Sequence, residues 1–278
     1  MAHTQSRPQL NPCLGPAEQL QAKRQLLLAE KIIRCDKHGE TRIDVLVGMS
    51  DMFISCPHCV KEKQQAEVLA KAQAERKQTA LWSGISERYY GLGFDAYQTT
   101  TDKQQSLLSF ARGYAQGFGK STPNLIMTGA TGTGKTMLAQ LIASHLHDSG
   151  RKVLFIRSSE MLRQFKATWD LPTSAQYAAQ NKLFKEWTSV DLLVVDEYGE
   201  NDSAISKDMA KQDRERMSDV IDGRYSQSKP TLITTNLPKE QLIERLGSRA
   251  WDRLQQCIVV AGCNWQSYRQ LNNRYLEI

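Results

Sequence analysis

Apolar residues fall in short runs along the last two-thirds of the chain, each bounded by polar or glycine-containing sequence. Asn124-Leu-Ile-Met-Thr128, Lys152-Val-Leu-Phe-Ile156, Leu192-Leu-Val-Val195, Thr231-Leu-Ile-Thr-Thr235 and Cys257-Ile-Val-Val260 are too short for helices and apolar at consecutive positions. Consecutive apolar residues mark strands buried on both faces. Helical patterns lie between them. Met137 to Leu146 has apolar residues spaced for one face, Ser159 and Glu160 open another helix, and Lys211 to Tyr225 places Met217, Val220 and Ile221 together. Strands alternating with helices predict an α/β fold with a mostly parallel sheet.

The start of the chain reads differently. Residues 61–80, KEKQQAEVLAKAQAERKQTA, contain no Gly or Pro, and Val68 and Leu69 are their only apolar residues besides alanine. That predicts a helix without a face to bury, a solvated connector. Upstream, Thr41-Arg-Ile-Asp-Val-Leu-Val47 and Met52-Phe-Ile54 predict a small hairpin around Gly48-Met-Ser-Asp51. The chain divides accordingly into residues 1–60, a helical linker over 61–84 and a large domain over 85–278.

Composition narrows the class. The chain has 278 residues, 40% hydrophobic and 24% charged, enough for one or two packed domains. No apolar run approaches the roughly 20 residues of a membrane span, and the first residues have no apolar signal core. A cytoplasmic protein without a membrane partner is expected. The net charge of +6 permits contact with nucleic acid without requiring it. Six cysteines in such a chain argue against a disulfide scaffold.

Three motifs point to a nucleotide. Gly129-Ala-Thr-Gly-Thr-Gly-Lys-Thr136 follows a strand and precedes a helix, the setting of a phosphate-binding loop. Gly129, Gly132 and Gly134 let the backbone curl. The N–H groups through Thr133 and on to Met137, at the start of the helix, then face an anion. Lys135 is the candidate for the β- and γ-phosphates of ATP, and Thr136 for Mg²⁺. The second motif is Leu192-Leu-Val-Val-Asp196-Glu197, with Asp196 placed to hold Mg²⁺ and Glu197 to act as general base on water. The third, Thr234-Thr-Asn236, ends a strand and offers Asn236 to orient that water.

A separate cluster points to a metal. Cys35-Asp-Lys-His38 and Cys56-Pro-His-Cys59 stand 17 residues apart, spacing suited to one tetrahedral zinc held by Cys35, His38, Cys56 and Cys59. His58 is the rival fourth ligand. Four protein ligands leave no open position, so the site is expected to be structural. Cys13, Cys257 and Cys263 are expected to be packing residues.

Residues 85–278, about 70% of the chain, resemble the DnaC family of replicative helicase loaders, which are AAA+ ATPases similar also to the IstB transposition helper. The resemblance rests on Gly129–Thr136, Val190–Glu197, Thr234–Asn236, Leu246-Gly-Ser-Arg249 through Trp251-Asp-Arg253, and Asn264-Trp-Gln-Ser-Tyr-Arg269. It implies a P-loop AAA+ core that hydrolyses ATP with Mg²⁺ and self-associates side by side, with a replicative DNA helicase and single-stranded DNA as partners. It also implies that Arg253 is an arginine finger entering a neighbour's site, a role Arg249 can share, and that Arg269 contacts the γ-phosphate within its own subunit. Gly91-Leu-Gly-Phe-Asp-Ala-Tyr97 resembles the segment bordering adenine. The cysteine cluster departs from the best-known members and resembles phage or prophage relatives.

Two alternatives carry different functions: a transposition helper that remodels duplex DNA, and a nucleotide-gated adaptor that docks a partner through zinc. The Asn264–Arg269 ending and the cysteine module favour the loader over the first. Glu197 argues against the second, because a pure switch needs no base.

Overall fold

The computed structural model describes residues 28–46, 55–199 and 207–268. The chain divides into two units, Met1–Glu75 and Arg76–Ile278. In the first, β1 (Leu28–Cys35) and β2 (Gly39–Leu46) form an antiparallel hairpin closed by the turn at residues 36–38. The expected pairing across Gly48–Asp51 with Met52–Ile54 lies outside the described residues. The strand at 41–46 is present, and it pairs with β1 across the first cysteine knuckle. The cause is the knuckle: Gly39, at φ +72°, takes the left-handed conformation that reverses the chain directly after His38.

Helix α1 (Pro57–Trp82) begins inside the second knuckle rather than at residue 61. Pro57 suits a first helical position, where its missing N–H costs nothing. Of its 26 residues Ala80 alone is buried, which agrees with the composition of the segment. The division between the two units falls within α1.

The second unit is built on five parallel strands in the order β4-β5-β6-β3-β7: β3 (Asn124–Gly129), β4 (Val153–Arg157), β5 (Leu192–Asp196), β6 (Thr231–Thr235) and β7 (Ile258–Cys263). Successive side chains alternate between faces. Leu125, Met127, Leu192, Val194 and Leu232 join one core with α2 (Asp102–Gln116) and α3 (Lys135–Asp148). Ile126, Leu193, Val195 and Ile233 join the other with α6 (Lys207–Tyr225), α7 (Lys239–Leu246) and α8 (Ser248–Gln255). Between β4 and β5 lie α4 (Ser158–Lys166) and α5 (Thr173–Ser189). Helix α2 starts with a capping box in which Thr101 and Gln104 satisfy each other's backbone N–H.

Two features of this order position the site. The chain visits β3, β4 and β5 before inserting β6 between β3 and β5, so the strand carrying Thr234 lies beside the strand carrying Asp196. The last turn of α6 is fixed to the opposite edge of the sheet by Arg224, which is 1% exposed. It donates to Thr231 Oγ1 and to the carbonyls of Trp187, Val190, Asp191 and Pro230. Among the described residues no helix is long and apolar enough to cross a membrane.

Candidate functional site

The loop between β3 and α3 opens on a cavity of about 310 Å³. Gly132 and Gly134 sit at φ +85° and +92°, a region that side chains rarely adopt. Space is equally restrictive: a Cβ on Gly132 would lie 2.0 Å from Ser267 Oγ, and one on Gly134 2.8 Å from the Tyr97 hydroxyl oxygen. Lys135 opens α3 and is nearly buried. Its Nζ donates to the carbonyls of Gly129 (2.7 Å) and Ala130 (2.9 Å), which keeps the ammonium within the loop.

The carboxylate Asp196 ends β5, fully buried. Its Oδ1 accepts from Thr136 Oγ1 at 3.0 Å and from Thr234 Oγ1 at 2.5 Å. Burial pushes its pKa up, against the pull of those two hydroxyls, and the neighbouring Glu197 adds to the rise. A buried carboxylate held beside a threonine hydroxyl is costly alone and suited to a hard cation with oxygen ligands. Thr136 and Asp196 therefore fit magnesium.

Glu197 adopts φ +57°, which costs a non-glycine residue about 1–3 kcal/mol. Its neighbours enforce it. The Glu197 N–H donates to Thr234 Oγ1 (3.0 Å), its carbonyl accepts from Ser158 Oγ (2.9 Å), and the Tyr198 N–H donates to the Thr234 carbonyl (2.9 Å). The side chain turns onto the cavity wall, with Oε2 3.7 Å from Arg157 Nε.

Thr234 thus links Asp196 and Glu197, and it too lines the cavity. Asn236, the sequence-based candidate from this strand, is exposed one residue past the end of β6 and is not among the lining residues. Ala96, Tyr97 and Gln98 form part of the wall.

The end of the described chain folds onto the loop. Trp265 Nε1 donates to the Thr133 carbonyl (2.9 Å), and the Tyr268 N–H donates to the Gly132 carbonyl (3.0 Å). The Tyr268 hydroxyl donates to the carbonyl of Gln98, and its ring meets Tyr97 edge-on. Arg269, the next residue, lies outside the described residues.

Arg249 and Arg253 are on α8, away from this cavity. Arg253 lines a second cavity with Lys120, Asn124, Lys229 and Thr231, at the starts of β3 and β6. The P-loop leaves β3 at its other end, Gly129. Five residue steps of about 3.3 Å put about 16 Å between the two edges.

In the first unit the Sγ atoms of Cys35, Cys56 and Cys59 and a ring nitrogen of His38 lie within 4.8 Å of one another. His38 Nδ1 is 3.6, 3.7 and 3.4 Å from the three sulfurs, and Cys35 Sγ is 3.5 Å from Cys59 Sγ. A zinc tetrahedron with Zn–S near 2.3 Å and Zn–N near 2.0 Å has edges of about 3.5–3.8 Å, so the four groups fit zinc. His58 is exposed and outside this cluster. The backbone N–H groups of Lys37 and then His38 hold the Cys35 thiol at a pKa of about 6, the thiolate form a metal requires. Sequence reasoning missed Glu62. Its Oε1 lies 3.1 Å from His38 Nε2, which directs Nδ1 toward the sulfurs, and Oε2 pairs with Lys37 at 2.5 Å. Cys263 is buried, whereas Cys257 is exposed instead of packed, and Cys13 lies outside the described residues.

Residues 91–275 match the family model of the IstB-like ATP binding protein. The replicative helicase loader DnaC of Buchnera aphidicola from Acyrthosiphon pisum is 30% identical over 190 residues, covering 68% of this chain and 73% of the relative. The chain belongs to the DnaC and IstB-like family of AAA+ ATP-binding proteins. The DnaC of Escherichia coli K12 is also 30% identical, over 67% of this chain and 73% of its own. The crystal structure of the DnaC helicase loader superposes with a TM-score of 0.53 at 24% identity, covering 64% of this chain and 99% of that one. At that identity the likeness concerns the fold, and the five-stranded sheet is the AAA+ sheet.

Proposed function

We propose that the protein hydrolyses ATP to load a replicative DNA helicase onto single-stranded DNA. The observation that carries this reading is the meeting of the phosphate loop, Thr136 and Glu197 in one cavity, with Asp196 buried directly behind Thr136 and bonded to it, on a chain whose curated relatives are named replicative helicase loaders. The N–H groups from Gly132 to Met137 bind the phosphates of ATP. Lys135 leaves the carbonyls of Gly129 and Ala130 to reach the terminal phosphate. Thr136 and Asp196 hold magnesium, which neutralises phosphate charge when bound. Glu197, fixed through Thr234, takes the proton of the attacking water, and ADP and phosphate result. Arg269, one residue beyond the wall residue Tyr268, contacts the γ-phosphate. Arg253, and with it Arg249, acts on the ATP of a neighbouring copy, since it sits at the far edge of its own sheet. The zinc module of residues 1–60 docks the helicase, and residues 85–278 form the ATPase domain.

Single-stranded DNA is a partner with a physical basis that composition did not reveal. The α4–α5 segment exposes Trp169 and Tyr177, and carries Arg163, Lys166, Lys182 and Lys185. Aromatic faces stack on bases and the cations follow the phosphates. Replacing both aromatics by Ala is expected to weaken binding of an oligonucleotide by about 1–3 kcal/mol per stacked base, with ATP affinity unchanged. Fluorescence anisotropy at fixed salt measures the first and equilibrium nucleotide binding the second.

Steady-state ATPase assays with single-stranded DNA, with duplex DNA and with helicase test the main reading. Stimulation by helicase and single-stranded DNA supports the loader. Stimulation by duplex alone supports the transposition-helper reading, and indifference to all three supports the adaptor.

A further inference from the structure

The last turn of α6 carries three contacting side chains within four residues, Asp222, Arg224 and Tyr225. Arg224 points inward, buried and bonded to the carbonyls that begin the sheet edge, so this turn is a rigid platform. Asp222 and Tyr225 face α8. Asp222 Oδ1 accepts from Arg253 Nε at 3.0 Å, and Oδ2 accepts from Arg249 Nη2 at 2.8 Å. The Tyr225 ring lies beneath the Arg253 guanidinium, 4.8 Å from its carbon, and the Tyr225 hydroxyl donates to Gln256 Oε1 at 2.8 Å.

The contacts divide the guanidinium in two. The Nε edge is held by Asp222 and one face by Tyr225. Nη1 lies 3.9 Å from Asp252, too far for a hydrogen bond. A carboxylate on Nε and a ring on one face fix both the direction and the plane of the group. Its terminal nitrogens are left to form the fork that matches a phosphate. An unheld arginine loses rotamer freedom when a ligand captures it, and the clamp removes part of that cost in advance.

We propose that Asp222 is the positioning residue of the trans-acting arginines: it holds Arg253 and Arg249 from one carboxylate, in register with the nucleotide of a neighbouring copy. The proposal rests on the reading of Arg253 as a finger given above. Asp222 is not among the residues lining the cavity beside its own phosphate loop, and it acts only through the arginines. Tyr225 shares the work for Arg253 but not for Arg249, so the carboxylate is what makes the pair one unit.

The test uses the full chain at concentrations where turnover per chain rises with assembly. Asp222→Asn keeps the shape and removes the charge. Turnover of the assembled protein is expected to fall about tenfold to a hundredfold, with KM and equilibrium affinity for ATP unchanged. Asp222→Glu keeps the charge and serves as the conservative variant, with turnover expected between the two. The double variant Asp222→Asn with Arg253→Ala is expected to be no slower than Arg253→Ala alone. A merely structural residue would lower the melting temperature and make the double variant worse. Asp222→Asn chains mixed with Lys135→Ala chains are expected to regain turnover, because the second supply well-held fingers to the intact ATP sites of the first. Wild-type turnover in folded Asp222→Asn, with Arg253→Ala inactive, overturns the clamp and leaves the finger standing. Wild-type assembly-dependent turnover in Arg253→Ala overturns the finger and the clamp together.

Discussion

Glu197→Gln is expected to bind ATP as the unaltered chain does and to hydrolyse it about 10²–10⁴-fold more slowly, the range that general-base catalysis supplies. The amide keeps the volume and loses the proton acceptor. The backbone that aims it is untouched, because that backbone is held by the Thr234 hydroxyl, the Ser158 hydroxyl and the Tyr198 N–H rather than by the carboxylate. Lys135→Ala is expected to fail earlier, at binding. Lys135 lies within the loop, bonded to its carbonyls, and no other lysine or arginine of the described residues lines the cavity beside the phosphate loop except Arg88 at the Tyr89 wall. Equilibrium binding of a fluorescent ATP analogue and phosphate release, measured on the same preparations, separate the two variants. Hydrolysis at the unaltered rate by Glu197→Gln would remove the general base from the reading, and tight ATP binding by Lys135→Ala would remove the phosphate role of Lys135.

What the sequence made legible follows burial. Strands β3 to β6 carry consecutive apolar residues because helices cover both faces, and their positions could be read from one chain; β7 has the same pattern, yet at the edge of the sheet it is only partly covered, with Val260 exposed. The partner of β2 could not. Leu28–Cys35 reads LAEKIIRC, with charges among its apolar residues: Lys31 and Ile33 share the half-covered face while Ile32 is exposed, so hydrophobicity does not follow the burial. Its register comes from the turn the first knuckle makes. Thr234 was hidden for another reason. A threonine inside an apolar run looks like an ordinary β-branched strand residue, and only the insertion of β6 beside β5 brings it to Asp196. The contact of Trp265 with Thr133 spans 132 residues of sequence, and Asp222 reads as one more charge on a solvated helix face until α8 is packed against it. Glu62 has the same history, as one glutamate in a run of Lys, Gln and Glu.

Removing zinc is expected to unfold the hairpin of β1 and β2 while leaving the ATPase domain folded. None of residues 30–45 is buried, and an isolated two-stranded hairpin is at best marginally stable in water. Its turn is joined to α1 through the cluster itself: Cys35 and His38 lie at the turn, and Cys56 and Cys59 at the start of the helix. Zinc held by such a set contributes about 10–16 kcal/mol of apparent binding energy at neutral pH, and that energy is folding energy where no core stands behind it. The other unit has a core of its own on both faces of its sheet. Chelation of the full chain should therefore erase amide protection across residues 28–46 and leave it unchanged across β3, β5 and β6, as hydrogen exchange followed by mass spectrometry can read. His38→Ala should lower zinc from one per chain toward none, whereas His58→Ala should keep it. Glu62→Ala should weaken affinity about 10–100-fold, because the His38 ring loses the acceptor that orients it. Zinc near zero in protein prepared without chelator, or protection of residues 28–46 that survives chelation, would show that the cysteines do not build this unit around a metal.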